Sequence, residues 1–321
     1  MLEVDGGIPM RWWDKELNMG DLLGPWLVER MTGKKPVWVE KAEPHYLVVG
    51  SILGRVAPST IVWGVGSFGT ETKWGISQHP KYLAVRGPLT RAKIASEGIA
   101  CPRVYGDPAL LAPDYFRPEV EQVHEIGVVL RWSEHSRKDQ IDVPGVLVID
   151  MLSDDVEGVI RQMLSCKAII ASSLHGLILA DAYGIPNAWL AAKTGKGKEF
   201  KFWDYFCSVG KLRRPVEFDL ATPGLTLEAL RAAFPFDGSP IDIDLDALRA
   251  ANPFTRMDDE VAEAERRAIE GSAMMKQKAI EQAEKERLKA EREARSAQSS
   301  KKRPLHRRVG GRIERSLRRG R

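Results

Sequence analysis

Ser172, Ser173 and His175 interrupt the most apolar stretch of the chain, "AIIASSLHGLILADAYGIP" (168–186), and Asp181 follows six residues after the histidine. An imidazole titrates near neutrality, so it can give or take a proton at working pH. The two hydroxyls fit helix capping better than nucleophilic chemistry, because no acid–base partner adjoins them in sequence. The run is long enough to suggest a membrane helix, but ionisable groups in mid-span are costly and "GIP" (184–186) breaks it. It parses instead as a buried strand over 168–172, a turn holding Ser173 and His175, and a returning helix over 176–183. That puts His175 at the rim where a strand surfaces; the bland alternative is a histidine that only caps its helix.

The same design recurs along the chain. Short apolar, β-branched runs each end in Gly, Ser, Asn, Asp, Arg or His: "YLVVGS" (46–51), "TIVWGVGSFG" (60–69), "YLAVRGPLT" (82–90), "RVYGDP" (103–108), "IGVVLRWS" (126–133) and "GVLVIDMLSDD" (145–155). Amphipathic helical stretches lie between several of them. "DLLGPWLVERMTG" (21–33) has Asp21 as N-cap and Gly33 as stop, "GPLTRAKIASEG" (87–98) has Pro88 in its first turn, and "SDDVEGVIRQMLSC" (153–166) opens on acidic residues that suit the helix dipole. Buried strands alternating with helices predict an α/β fold with parallel sheets covered on both faces, whose ligands bind beyond the carboxyl ends of the strands. A polar, Pro-containing segment at 112–125 divides the chain into domains 1–115 and 116–255, two Rossmann-like units facing a cleft. "GVGSFG" (64–69) leads into no clear helix, which argues against a dinucleotide fingerprint.

Charge separates a third segment, 256–321. Residues 256–296 are rich in Ala, Glu, Lys and Arg and predict a solvated helix or weak coiled coil. Residues 301–321 hold ten Lys/Arg and one Glu, a net of +9; the whole chain is +4, so 4 − 9 leaves −5 on residues 1–300. The basic character belongs to a tail on a mildly acidic body. Such a tail suits an anionic membrane surface, and specific nucleic-acid binding is not expected because no recognition motif or interleaved aromatic residues accompany it. Three scattered cysteines, Cys101, Cys166 and Cys207, favour neither a disulfide framework nor a zinc site, and fit a cytoplasmic protein. The N-terminus lacks the basic and apolar regions of a signal peptide.

Taken in order, "NMGD" (18–21), "GVGS" (64–67), "VRGPLTR" (85–91), "YGDPALL" (105–111), "SSLHGLILADAYGIP" (172–186) and "KFWDYFCSVG" (201–210) resemble the polysaccharide pyruvyl transferases, over roughly residues 10–255. Single triplets are common; the ordered set anchored on S-x-L-H-G is specific. The resemblance implies an architecture similar to two-domain glycosyltransferases and transfer of the pyruvyl unit of phosphoenolpyruvate onto two sugar hydroxyls, giving a ketal and phosphate. It implies no metal and no cofactor, and a sugar or lipid-linked oligosaccharide as acceptor. The residue before Leu-His, often Arg in the family and a donor ligand there, is Ser173 here.

A donor with a phosphate and a carboxylate needs cations and oriented N–H groups. Arg86 and Arg131, each just past a strand, and Lys193, Lys196 and Lys198 of "KTGKGK" are the candidate cations, with Gly64, Gly66 and Ser67 offering backbone N–H groups. His175 is the acid–base candidate, and Ser172 and Ser173 flank it. Asn18 and Asp21 either cap a helix or bind the acceptor. Asp107 either fixes a turn, the preferred reading, or acts as a base. His45, His79, His124 and His135 read as bystanders in polar loops. Trp12, Trp13, Trp63, Trp132, Trp189 and Trp203 are mostly core, with one or two free to stack on a sugar. Two other functions remain open at this point: a nucleotide-sugar glycosyltransferase, for which no acidic ribose-binding residue stands out, and a non-catalytic sugar-binding scaffold.

Overall fold

The β-branched runs form two all-parallel sheets in the computed structural model, which describes residues 1–71, 76, 80–193 and 199–254, together with Gln282, Lys285 and Lys289. In chain order the elements are β1 (Ile8–Met10), α1 (Met19–Thr32), β2 (Pro36–Trp38), β3 (His45–Leu47), β4 (Thr60–Trp63), β5 (Lys81–Ala84), α2 (Pro88–Ser96), α3 (Ala112–Tyr115), β6 (Ile126–Val129), β7 (Val146–Ile149), α4 (Val156–Leu164), β8 (Ile169–Ala171), α5 (Leu174–Ala182), β9 (Asn187–Trp189), α6 (Phe200–Ser208), α7 (Leu227–Ala233) and α8 (Leu245–Ala250). Strand order is β2-β1-β3-β4-β5 in the first sheet and β7-β6-β8-β9 in the second. In the second sheet the registers stay in step, as in Ile126 opposite Val146 and Ile169 opposite Asn187, whereas the first sheet shifts register between Val62 and Trp63 where β4 meets β5.

Burial explains why these short strands hold. Ile8, Met10, Leu47, Val62, Ile126, Val128, Ile169 and Ile170 are all buried, as expected for strands covered on both faces. Helix starts follow local chemistry. Asn18, not Asp21, is the N-cap of α1, its side-chain oxygen accepting from the Gly20 N–H, and Asp21 falls in the first turn, where the helix dipole favours a carboxylate. Pro88 opens α2, and Asp155 caps α4.

The expected division at residue 115 separates the two sheets, but one hydrophobic core runs through both, from Ile8 and Trp63 to Ile169 and Trp189. Late elements return to the first sheet: the Trp63 indole N–H donates to the Leu248 carbonyl in α8 at 3.0 Å, and α6 lies against α2. Residues Met1–Thr255 accordingly form one unit, and Arg256–Arg321 a second. In that second unit Gln282, Lys285 and Lys289 are helical and exposed; the expected basic tail, 301–321, lies outside the described residues. Among the described residues no helix is long and apolar enough to cross a membrane.

The 168–186 stretch resolves into β8 and α5. His175 is the second residue of the helix rather than part of the turn before it, because Ser173 already occupies the cap position. Asp181, on the same helix, is a buried hub: it accepts from Asn187 Nδ2 at 2.8 Å, Tyr205 Oη at 2.8 Å, Lys211 Nζ at 2.9 Å and Arg213 Nη2 at 3.0 Å. Burial next to that carboxylate pushes the Tyr205 phenol well above its ordinary value. Asp181 therefore fixes α5 against β9 and the segment after α6.

Candidate active site

The first sheet reverses its winding between β1 and β3, and the second between β6 and β8. Open parallel sheets bind ligands beyond the strand ends at such reversals. Here both reversals feed one pocket of about 350 Å³, at the lower end of ligand-site volumes. Trp13, Asn18 and Asp21 reach it after β1, and Ser51, Ile52, Gly54 and Arg55 after β3. Arg131 and Trp132 follow β6; Ser173, Leu174 and His175 follow β8. Phe68, Thr70 and Glu71 after β4, and Lys201 from α6, complete the lining.

His175 is 9% exposed, and its imidazole packs so closely on Gly20 that a methyl group there would collide with Nδ1. The glycine of "NMGD" is thus required by the histidine of α5. On the other side of the ring, Nε2 lies 3.8 Å from Oδ2 of Asp107, a carboxylate with no exposure. Neither atom has a hydrogen-bond partner among the described residues. That separation is within ion-pair reach and too long for a hydrogen bond, a looseness common in catalytic pairs before substrate binds. The other oxygen, Oδ1, accepts from the Ala109 N–H at 3.0 Å. Asp107 therefore fixes the turn, as expected, and also faces the histidine, which its place in the sequence did not reveal.

Asp21 is half-buried in the pocket wall. Asn18 Nδ2 donates to its Oδ2 at 2.6 Å. Burial nevertheless raises its pKa above the ordinary value, against the opposing pull of His175, the Asn18 bond, Lys201 and Arg55. A carboxyl with a raised folded-state pKa contributes stability that is full below its unfolded value, about 3.9, and is lost as pH rises through the folded value. Asp21→Asn is therefore expected to raise the melting temperature at pH 7–8, with the gain over wild type shrinking to nothing near pH 4; thermal unfolding across that range checks it.

Two expectations for the anion site are corrected. Arg86 does not reach the pocket: it is 0% exposed, donates through Nε to Asp204 Oδ2 at 3.1 Å, through Nη1 to Ser51 Oγ at 2.7 Å and through Nη2 to the Ser67 carbonyl at 2.9 Å. Asp204 is equally buried and binds Thr90 as well. The guanidinium lies flat against Gly66, where any Cβ would strike it. The second correction concerns the backbone donors. The Gly64, Gly66 and Ser67 N–H groups bond to Ala84 O, Gly50 O and Thr90 Oγ1, so none is offered to an oxyanion. Arg86 and its loop build the pocket wall from behind.

Ser172 is also structural: it donates to Glu134 Oε2 at 2.8 Å and accepts from the Arg131 N–H at 3.0 Å. Ser173 lines the pocket and makes no side-chain cap bond. Arg131 lines it too, its pKa lowered by burial and supported by Glu134. Lys196 and Lys198 lie outside the described residues, as does His79. Lys193 pairs with Asp219 at 2.6 Å. His45 is no loop bystander but is fully buried in β3, Nδ1 2.6 Å from the Glu43 carbonyl and Nε2 3.1 Å from the Thr60 hydroxyl, with burial lowering its pKa. His135 pairs with Asp150.

The cations missed in the sequence are Arg55 and Lys201. Arg55 pairs with Asp14 at 3.3 Å and lies over the Trp13 ring at 5.1 Å; Lys201 Nζ lies 5.7 Å from the Phe68 ring centroid and 5.2 Å from that of Phe202. Lys201 opens the quoted segment "KFWDYFCSVG", which was its only signal. Of the tryptophans, Trp63 and Trp189 are core, and Trp13 and Trp132 face the pocket.

Comparison with known proteins supplies the family. The model for polysaccharide pyruvyl transferase matches residues 52–194, which include Asp107, Arg131, Ser173 and His175. An uncharacterized protein of Acanthamoeba polyphaga mimivirus is 30% identical over 209 residues, 61% of this chain and 72% of the relative. The succinoglycan biosynthesis protein ExoV of Rhizobium meliloti is 30% identical over 227 residues, 67% of this chain and 68% of the relative. No solved structure matches. A family model that spans the histidine-bearing wall of the pocket, joined to a relative aligned over two thirds of both chains, makes this chain a member of the polysaccharide pyruvyl transferase family.

Proposed function

We propose that the protein transfers the pyruvyl group of phosphoenolpyruvate onto two hydroxyls of a sugar in a surface polysaccharide or its precursor, forming a ketal and releasing phosphate. The observation that carries this reading is the pairing of His175, backed by Asp107, with Arg55, Arg131 and Lys201 in one pocket. The donor is a small dianionic to trianionic molecule, and cations from three separate elements can hold its phosphate and carboxylate apart. The start of α5, with no side-chain cap at Ser173, adds helix-end N–H groups of the kind that favour anions. Arg131 and Lys201 carry the load that an arginine at position 173 would take.

His175, protonated, delivers a proton to the methylene carbon while the first sugar hydroxyl bonds to the adjacent carbon. The phosphate then leaves and the second hydroxyl closes the ring, with the cations stabilising the departing charge. Trp13 and Trp132 supply flat apolar faces for a sugar ring. The likeness to ExoV, a succinoglycan biosynthesis protein, supports an acceptor of this class. A lipid-linked acceptor would bring the reaction to the cytoplasmic face of a membrane, where each basic residue of the tail would contribute about 1 kcal/mol.

Calorimetric titration with phosphoenolpyruvate tests the donor. Saturable binding is expected, weakened about 10- to 100-fold in Arg131→Ala and in Lys201→Ala, the range for loss of one charged hydrogen bond. Binding of UDP- or GDP-sugars with no response to phosphoenolpyruvate would move the protein to the glycosyltransferases instead.

A further inference from the structure

Ketal formation needs two proton transfers at once. As the first hydroxyl adds, a proton must reach the methylene carbon and another must leave the hydroxyl, and one imidazole cannot do both in the same step. A second titratable group has to face the same space. Among the described residues two carboxylates line the pocket, Asp21 and Glu71. Glu71 has both oxygens engaged: Oε1 accepts from the Phe68 N–H at 2.8 Å and Oε2 from the Ser67 hydroxyl. It holds its own loop. Glu134 is buried behind the pocket, with Ser172 Oγ on Oε2 and the Lys193 N–H on Oε1. Asp107 faces His175 and is absent from the lining. Among the described residues Asp21 differs from Glu71 and Glu134 in keeping one oxygen without a partner, and from Asp107 in lining the pocket. Only its Oδ2 carries a hydrogen bond, from Asn18, which leaves Oδ1 open among the described residues. It also sits next to the residue against which His175 packs.

We propose that Asp21 is the general base that takes the proton of the first acceptor hydroxyl, working opposite His175 in a two-group relay; the proposal rests on the transferase reading above. The relay balances. His175 in its charged form gives its proton to C3 of phosphoenolpyruvate, making the methyl group. The first hydroxyl oxygen bonds to C2 and its proton passes to Asp21. The C2–O bond to phosphate then breaks, with the electron pair leaving on phosphate, which takes the proton from Asp21. The second hydroxyl oxygen bonds to C2 and its proton passes to His175. Two protons leave the sugar, one ends on carbon and one on phosphate, and both side chains return to their starting states. A base for this role should be an anion that the fold does not lock, and burial of Asp21 makes its protonated form more accessible despite the first-turn position and Asn18.

The test uses the full chain, phosphoenolpyruvate and a panel of methyl glycosides presenting 4,6- and 3,4-diols, with phosphate release as the readout and calorimetry for donor binding. Asp21→Asn is expected to lower kcat at least about 100-fold while phosphoenolpyruvate binds as tightly as before, or more tightly, since a negative charge has left an anion pocket. In wild type the acidic limb of the pH profile belongs to Asp21; the groups facing Asp21 are His175 from α5, Lys201 from α6 and Arg55 from the turn after β3. Asp21→Asn should lose the acidic limb alone, and Asp21→Glu should restore part of the rate. Turnover of Asp21→Asn within about tenfold of wild type, an acidic limb that persists, or loss of donor binding would each overturn the base. A wild-type protein that fails to bind phosphoenolpyruvate overturns the transferase reading itself, so the two failures are told apart by the binding arm.

Discussion

His175→Gln is expected to reduce kcat for phosphate release from phosphoenolpyruvate by about 10²- to 10⁴-fold, the usual worth of a positioned acid–base group, or roughly 3–5 kcal/mol of barrier. Glutamine keeps hydrogen-bonding capacity and much of the volume, so the fold and donor binding should survive while proton delivery to carbon is lost. Asp107→Asn is expected to fall in the same direction by a smaller amount. Its Oδ1 can still accept from Ala109, so the turn stays, but the negative charge 3.8 Å from Nε2 is gone and the imidazolium loses its support. Steady-state phosphate release, with melting temperature and donor affinity measured alongside, separates the chemistry from the fold. A His175→Gln variant that turns over at the wild-type rate would show that the imidazole only packs against Gly20 and Asp107.

Arg86→Ala should act on stability rather than on recognition. Removing one member of a fully buried ion pair leaves the other charge uncompensated, which costs about 3–5 kcal/mol. Here the orphan is Asp204, and Ser51 and the Ser67 carbonyl lose their donor as well. For a unit of this size the melting temperature should fall by roughly 6–20 °C, taking about 2–4 °C per kcal/mol. Because a buried pair can often be replaced whole by apolar side chains with little loss, the double variant Arg86→Leu/Asp204→Leu should recover a large part of that drop. Calorimetric unfolding of the three variants decides the matter. An Arg86→Ala protein that melts like wild type and no longer binds phosphoenolpyruvate would return Arg86 to the anion site.

These two residues mark the line between local and long-range information. S-x-L-H-G follows a strand of three buried residues and opens a helix, and every part of that statement is written in neighbouring residues: β-branched burial, a cap-type residue, then an apolar helix. The position of His175 at a strand end was therefore legible, to within the turn of helix it occupies. Arg86 also follows a strand, and by the same logic it faces a ligand. What covers it is Asp204, 118 residues later, on a helix whose own sequence gives no sign of where it will dock. The same docking brings Lys201 of α6 to the pocket, so one long-range contact removes one cation from the site and supplies another.

The alternation of strand and helix, the parallel sheets and the histidine at a strand end were determined by the sequence alone, because periodicity, glycine, proline and capping residues act over a few positions. The tertiary structure decided which charges meet. Among the described residues it set Asp107 behind His175, left one oxygen of Asp21 open, and tied the N–H groups of Gly64, Gly66 and Ser67 into the fold. Such choices depend on which buried polar groups find partners across the chain, and a partner more than a hundred residues away leaves no mark on the spacing of its neighbours.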